Sequence, residues 1–451
     1  MSKVNPLDAS KARVRGLLRV DTERSLPRRD RRSVKVIILA AGKGVRMKSD
    51  LPKVLHPICG KPLIQYVVDI ARAIGSLKIV VVLGHQGNEV RQILSKGVSI
   101  VRQKQLLGTA DAVRTVLAQE KFSKNHDILI LCGDTPLLKV ETIRRLLAIH
   151  HSTKPACSVL TAHLSQPQGY GRIIRDSQGN ILAIREERDA SPEEKGVREI
   201  NTGVYCFESQ VLRSEVKKIR LNPTKKEFYL TDIVGNLVAQ GLRVSTFSTQ
   251  DPQEGLGINT REELSCVESI MRQRILSRHM HEGVGILDPL TTYIADQVEI
   301  GQDTLIKPFT VIESDVRIGR RCVIGPFAHL RPGVRIGNET EIGNFAEVSR
   351  SSLGAGVRMK HFSFLGDATV EDHVNIGAGV VTANYDGKSK NKTRIKEGAF
   401  VGSDSILVAP LTIGKKAVIG AGSVVPKGKD VPDGKMAVGV PARILSRRNR
   451  A

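Results

Sequence analysis

Tryptophan is absent from this chain of 451 residues, and aromatic residues make up only 4% of it. Proteins that hold nucleic acid by base stacking need aromatic platforms, so that class is not expected here. Cysteine is equally thin. Cys59, Cys132, Cys157, Cys206, Cys266 and Cys322 lie far apart with no C-x-x-C pair, which argues against a zinc site and a disulfide framework. They read as reduced thiols in a cytosolic protein. No apolar run is long enough to span a bilayer, and the early "VRGLLRV" is too short and charged for a signal-peptide core, so no membrane role is expected. Acidic residues are outnumbered, 46 against 69 basic ones, a net charge of +23. That balance calls for an anionic partner, and nucleic acid, nucleotides and sugar phosphates all qualify. Part of the excess sits in residues 1–33, closed by "PRRDRRS", and in the final "SRRNR". Both read as mobile, solvated ends, with non-specific polyanion contact the lesser reading.

What the chain does have is glycine, 41 copies, and two different periodicities. From about Lys35 to Phe247, "VKVIILAAG", "KIVVVLG", "DILILCGD" and "ACSVLTAHL" read as buried strands, and "QYVVDIARAIG" and "VETIRRLLAIH" as amphipathic helices. Continuous aliphatic strands alternating with helices predict a mostly parallel, Rossmann-like α/β sheet covered on both faces, with ligands at the carboxyl ends of its strands. "REELSCVESIMRQRILSRHM" reads as one connecting helix. Then Ile300, Ile306, Ile312, Ile318, Ile324, Leu330, Ile336, Ile342 and Val348 recur every six residues. The register slips by one at Leu353, Met359 and Leu365, slips again at Val370 and Ile376, and resumes from Ile395 to Val425. Such a hexapeptide repeat predicts a parallel β-helix with one continuous column of aliphatics as its core. Residues 384–393, "NYDGKSKNKT", interrupt it and are expected to project as a loop. The expected organisation is a basic extension at 1–33, an α/β domain at 34–258, a linker helix at 259–288 and a β-helix domain at 289–451.

The first strand runs into "LAAGKGVRM". This is neither the dinucleotide fingerprint, which needs a third glycine, nor a Walker loop, which needs G-K-[ST]. It still suits a polyphosphate, because small residues let backbone N–H groups approach phosphate oxygens while Lys43 and Arg46 add charge-assisted donors. "SDLPKVLHPICGKPL", "QKQLLGTADAV", "LCGDTPLL", "GYGRIIRD", "REINTGVY", "EFYLTDIV" and "GINTREEL" follow in order. Together with the repeats, this ordered set resembles the bifunctional N-acetylglucosamine-1-phosphate uridyltransferase/glucosamine-1-phosphate N-acetyltransferase family from about Ser33 to Arg443.

The resemblance implies two reactions and a left-handed β-helix. The first is attack of a sugar 1-phosphate on the α-phosphorus of UTP with loss of pyrophosphate, a reaction of positioning and charge neutralisation. Leu39, Ala40, Gly42, Lys43, Gly44 and Lys53 would hold UTP, with Lys53 and Arg46 acting at the reacting phosphates. Gln103, Gly108 and Thr109 would read uracil. Asp134 and Asn259 would supply oxygen to Mg²⁺, and Gly171, Glu186, Asn201 and Asn259 would hold the sugar phosphate. Asp111 stands where the family commonly has histidine; little consequence is expected, since that position is not a direct ligand.

The second implied reaction is acetyl transfer from acetyl-CoA to glucosamine-1-phosphate, with His361 as base. Arg331, Arg350, Asn375, Asn384 and Tyr385 would bind the amino sugar. Ala378, Lys390, Ser403, Ala421 and Arg443 would line the acetyl-CoA site, with Asn375 and the Ala378 N–H at the oxyanion. Three positions depart from the pattern: Ser349 replaces a usual cation, Phe364 a tyrosine and Gly439 an arginine. Arg350 and Arg443 lie close enough in sequence to compensate. The resemblance also implies a cytoplasmic homotrimer acting on small molecules, with no nucleic-acid or membrane partner. The alternative is a uridyltransferase whose β-helix is only a trimerisation scaffold.

Overall fold

The computed structural model describes residues 33–84, 87–94, 96–120, 122, 126–223 and 226–445. The basic extension, Ser33 apart, and the terminal arginine cluster lie outside the described residues. The aliphatic run Val34–Ala40 is the central strand of a nine-stranded sheet. The principal order is Val244–Ser248, Cys157–His163, Glu199–Glu208, Asp127–Cys132, Val34–Ala40, Lys78–Leu83, Val98–Arg102. Alternate residues of the central strand serve opposite faces. Val36 and Ile38 pack against helices Leu63–Ala73 and Val140–Thr153, while Ile37 packs against Thr109–Gln119 and Ser209–Lys218. Both faces are therefore dry, which is why these strands are aliphatic throughout. Within this order one strand departs from the parallel expectation: Glu199–Glu208 runs antiparallel to both neighbours. Of the sheet's other two strands, Arg172–Arg175 pairs antiparallel with it and with Ile181–Arg185.

The expected connecting helix is one element, Arg261–His281. Thr260 and Glu263 form a reciprocal capping box at its start, which satisfies two orphan N–H groups. Its Val267, Met271, Ile275 and Leu276 share an apolar cluster with Ile58, Leu63 and Leu137 of the α/β half and Ile294 and Val298 of the β-helix.

The second half is a parallel β-helix of three sheets. Ile306 pairs with Ile324, a coil of 18 residues (324 − 306). At the slips, Ile336 pairs with Leu353, a coil of 17 (353 − 336), so the inward column stays aligned although the sequence loses a residue. All of these column residues are buried except Ile300, which is partly so. The glycine after the aliphatic is needed where coils touch: a Cβ on Gly343 would stand 1.8 Å from the Lys360 carbonyl oxygen. The inserted loop lies between strands Val381–Ala383 and Thr393–Ile395. Asp386 organises it, accepting from the Lys388 and Ser389 N–H groups and from Asn391 Nδ2 at 2.8–3.1 Å.

The β-helix begins earlier than residue 289. Its first rung, Gly285–Ile286, pairs with Leu305–Ile306 inside the stretch expected as linker. The six-residue period does not reach back that far, since Ile286 and Ile294 are eight apart. All six cysteines are free thiols. Among the described residues, no helix is long and apolar enough to cross a membrane.

Candidate active sites

The end of the central strand opens into a cavity of about 470 Å³ lined by Ala40, Ala41, Gly42, Lys43, Pro52 and Gly84, among others. Lys43 and Arg46 are exposed beside it and form no ion pair among the described residues. Gly44 adopts a left-handed conformation, φ 60°, and presses on Lys53, whose Cβ would lie 2.7 Å from an added methyl. Only glycine fits there without strain. Leu39 ends its pairing opposite Cys132, and the Gly133 N–H donates to the Leu39 carbonyl at 2.9 Å, so the phosphate turn and the "CGD" turn leave the sheet side by side.

That adjacency assembles three residues from distant parts of the chain. The Lys53 ammonium bonds the Asp134 carboxylate and donates to Asn259 Oδ1 at 3.2 Å. Asn259 is held in place because its own N–H donates to Glu263 at 2.5 Å. The Ile258 N–H donates to the Asp134 carbonyl at 3.1 Å. Two hard oxygens thus already converge on one cation, the donor set a divalent hard cation takes.

Across the sheet edge, Gln103 donates from Nε2 to the Gly108 carbonyl at 3.2 Å and to Asp111 Oδ2 at 2.7 Å. Asp111 sits on the first turn of helix Thr109–Gln119 and holds Gln103 directly. The Thr109 hydroxyl accepts from the Leu230 N–H at 3.0 Å, and the Gly108 turn is pinned under Phe228.

Gly171 and Asn201 are joined through the Asn201 N–H, 2.9 Å from the Gly171 carbonyl. The Asn201 side chain accepts from the Gly203 N–H at 3.0 Å. Glu186 accepts from the Thr231 hydroxyl at 2.9 Å. Burial pushes the Glu186 carboxyl above the usual glutamate range; the Thr231 bond opposes this, and Asp232, Asp189 and Glu227 reinforce it.

On the β-helix, one corner carries residues from successive coils. Gly379 N–H donates to the Phe362 carbonyl, Asp404 N–H to Ala378 and Gly422 N–H to Ser403. His361, Ala378, Ser403 and Ala421 each precede the corner residue of their coil, so they stack in a single column. His361 is exposed. Asn375 starts the strand just before this corner.

At the other end of the same sheet, Arg350 makes a bidentate pair with Asp367 at 2.8 and 2.9 Å and donates to the Ser349 hydroxyl at 2.7 Å. Asn384 donates to the same Asp367 at 2.5 Å. Arg350 therefore stands beside Ser349 as expected, but its charge is balanced. The Arg350 guanidinium holds the Asp367 carboxyl below its usual range.

Arg331 pairs with Glu347 at 3.0 Å. Tyr385 donates to Gly387 within the loop at 2.8 Å and bridges to Lys390. The Phe364 ring tip lies 2.8 Å from a methyl added at Gly366, next to Asn384 Nδ2. Arg443 pairs opposite Val438, one residue from Gly439.

Both halves of the chain are similar to known proteins. Residues 36–193 match the MobA-like NTP transferase domain family. Residues 297–330 and 315–350 match the bacterial transferase hexapeptide (six repeats), and 392–427 the hexapeptide repeat of succinyl-transferase. The bifunctional protein GlmU of Clostridioides difficile is 41% identical over 437 residues, covering 90% of this chain and 94% of that protein. Its counterpart in Pelotomaculum thermopropionicum is 43% identical over 412 residues, covering 83% and 89%. The chain belongs to the bifunctional GlmU family. As a GlmU protein it joins an N-terminal nucleotidyltransferase to a left-handed β-helix acetyltransferase. The chain transfers acetyl from acetyl-CoA to glucosamine-1-phosphate, then uridylyl from UTP to N-acetylglucosamine-1-phosphate, yielding UDP-N-acetylglucosamine and pyrophosphate.

Sequence reasoning missed the roles of two supporting acids. Asp111 holds Gln103 and Asp367 holds Arg350 and Asn384, and only Asp111 carried a signal, an acid in the first turn of a helix directly after the glycine turn.

Proposed function

We propose that the two reactions divide between these sites as follows. In the α/β half, Leu39, Ala40, Gly42 and Gly44 let the UTP phosphates approach the backbone, and Lys43 and Arg46 neutralise them. Lys53 sits where the α-phosphate and the attacking sugar phosphate meet. Gln103, Gly108 and Thr109 receive the uracil; Gly171, Glu186 and Asn201 hold the amino sugar and ribose. Asp134 and Asn259 would hold Mg²⁺, which when bound spreads the charge of the crowded phosphates. The observation that carries this reading is the meeting of Lys53, Asp134 and Asn259, three residues from distant parts of the chain, against the Gly44 turn.

In the β-helix, His361 takes the proton of the attacking amine. Asn375 and the Ala378 N–H face the developing oxyanion. Arg331, Arg350, Asn384 and Tyr385 hold glucosamine-1-phosphate; Lys390, Ser403, Ala421 and Arg443 line the acetyl-CoA path. A homotrimer in the cytoplasm is the working form, with neighbouring β-helices completing each acetyl-transfer site.

The test is incubation of purified protein with glucosamine-1-phosphate, acetyl-CoA, UTP and Mg²⁺, followed by mass analysis for UDP-N-acetylglucosamine. His361→Ala abolishes release of the coenzyme thiol and spares pyrophosphate release from UTP and N-acetylglucosamine-1-phosphate. Thiol release that survives in that variant overturns the role given to His361.

A further inference from the structure

Gln103 leaves the carboxyl end of strand Val98–Arg102 and is buried, with its N–H donating to the Leu83 carbonyl at 2.9 Å. Its amide can be set in either of two ways, with the oxygen or the NH₂ turned away from the groups behind it. The two ends are nearly the same shape, and they recognise opposite partners. What decides between them is the chemistry of the groups behind. The Gly108 carbonyl and the Asp111 carboxylate both accept and neither can donate. They lie 3.2 and 2.7 Å from Nε2. Turning the amide over would set Oε1 against two acceptors, one of them charged, and leave the NH₂ without either bond.

Asp111 itself is held in place. It lies on the first turn of helix Thr109–Gln119, where the helix N-terminus favours a carboxylate. The turn before it is tied to Phe228, whose N–H donates to the Leu107 carbonyl at 2.7 Å and whose carbonyl accepts from the Ala110 N–H at 3.0 Å. Among the described residues, no donor reaches Gln103 Oε1.

We propose that Asp111 is the residue that sets nucleobase preference in the uridylyl-transfer site, by locking Gln103 with its amide oxygen toward the base. This rests on the reading above that Gln103 meets the base. An acceptor in that place bonds the N3–H of a uracil ring. Cytosine presents an unprotonated N3 with a lone pair at the same edge, so the locked oxygen meets a second acceptor and the pair is repelled. Asp111 touches no substrate in this arrangement. It is a positioning residue that converts an ambiguous amide into a one-way reader.

The experiment compares kcat/KM for UTP and for CTP, with N-acetylglucosamine-1-phosphate and Mg²⁺, in the full-length protein. In Asp111→Asn the new amide can donate to a reversed Gln103, so both orientations become available. The UTP-to-CTP ratio is expected to fall by about tenfold or more, since a site that loses a fixed hydrogen-bond direction loses its discrimination. The fall comes mainly from faster use of CTP. Melting temperature, read alongside, reports any loss of folding.

A second arm places Asp111→Asn in a Gln103→Ala background, where it should leave the ratio unchanged because there is no amide left to orient. An unchanged ratio in Asp111→Asn, or an equal fall in the Gln103→Ala background, overturns the proposal. If Gln103→Ala alone leaves the KM for UTP unaltered, the base-site reading itself fails, and that result is distinct from the first two.

Discussion

Replacing Gly44 by alanine perturbs the uridylyl-transfer site through a single methyl group. Gly44 sits at φ 60° and ψ 28°, a left-handed conformation that costs a non-glycine residue about 1–2 kcal/mol. The added Cβ would stand 2.7 Å from Lys53 Cβ, and the pair must part by about 0.8 Å (3.5 − 2.7) to reach ordinary carbon–carbon contact. The atom struck is the first carbon of the lysine side chain, with Cα also near at 3.6 Å, so Lys53 cannot yield by swinging its tip. The whole residue moves, and with it the ammonium that bonds Asp134 and Asn259. A displacement of about 1 Å in a positioned group costs roughly a hundredfold in rate, and strain plus overpacking together cost about 2–5 kcal/mol of stability.

Pyrophosphate release in Gly44→Ala is therefore expected to fall about a hundredfold. The melting temperature of the α/β half should drop, while thiol release by the β-helix half stays at the wild-type rate. Gly42 is the control two residues away: its φ is not left-handed, and a Cβ there meets nothing within 4 Å. Gly42→Ala should keep its melting temperature and raise the KM for UTP, because its methyl enters only the cavity. Wild-type pyrophosphate release with an unchanged melting temperature in Gly44→Ala would refute the reasoning.

Two further outcomes follow from other contacts. Burial raises the Glu186 pKa, so as pH falls Glu186 takes up its proton before an exposed glutamate would, and it stops accepting two-sided hydrogen bonds from sugar hydroxyls. The KM for N-acetylglucosamine-1-phosphate should rise on the acid side at a pH above the ordinary glutamate range; Glu186→Gln should remove that limb, and an identical pH profile in the variant would sink the assignment. Phe364→Tyr places a hydroxyl at the ring tip beside Asn384; one added hydrogen bond to the amino sugar, worth about 0.5–1.5 kcal/mol, should raise kcat/KM for glucosamine-1-phosphate up to about tenfold, read as thiol release.

The parts of this fold legible in the sequence are those where one position answers to one neighbour. Each inward aliphatic of the β-helix stacks on the next, so the column can be read directly, even through the shortened coils between Ile336 and Ile376. The central strands were legible because burial on both faces forces an unbroken aliphatic run. The direction of Glu199–Glu208 was not, since strand direction is set by which strands it joins, and its pairing with Asp127–Cys132 spans 75 residues of chain or more (205 − 130). The first rung at Gly285–Ile286 escaped because it lacks the spacing that marks the others. Motifs name candidate site residues, but not the roles of the acids behind them. A carboxylate that orients a neighbour leaves no repeat or spacing; Asp111, bonded to the Gln103 amide, is such a residue.

The connecting helix explains why the two halves cannot be treated as beads on a string. Asn259 precedes its Thr260 cap by one residue and is fixed by Glu263 in its first turn. Arg261, in that same turn, donates to the Met47 carbonyl at 3.2 Å, and so braces the turn that carries Arg46. Thus one oxygen donor of the candidate cation site, and one support of the phosphate turn, both come from the start of the helix whose far end seats the β-helix. The apolar cluster running from Ile58 through Met271 to Val298 makes that seat a continuous core rather than a hinge, so disrupting it is expected to reach the candidate cation site through Asn259 and the Arg46 turn through Arg261.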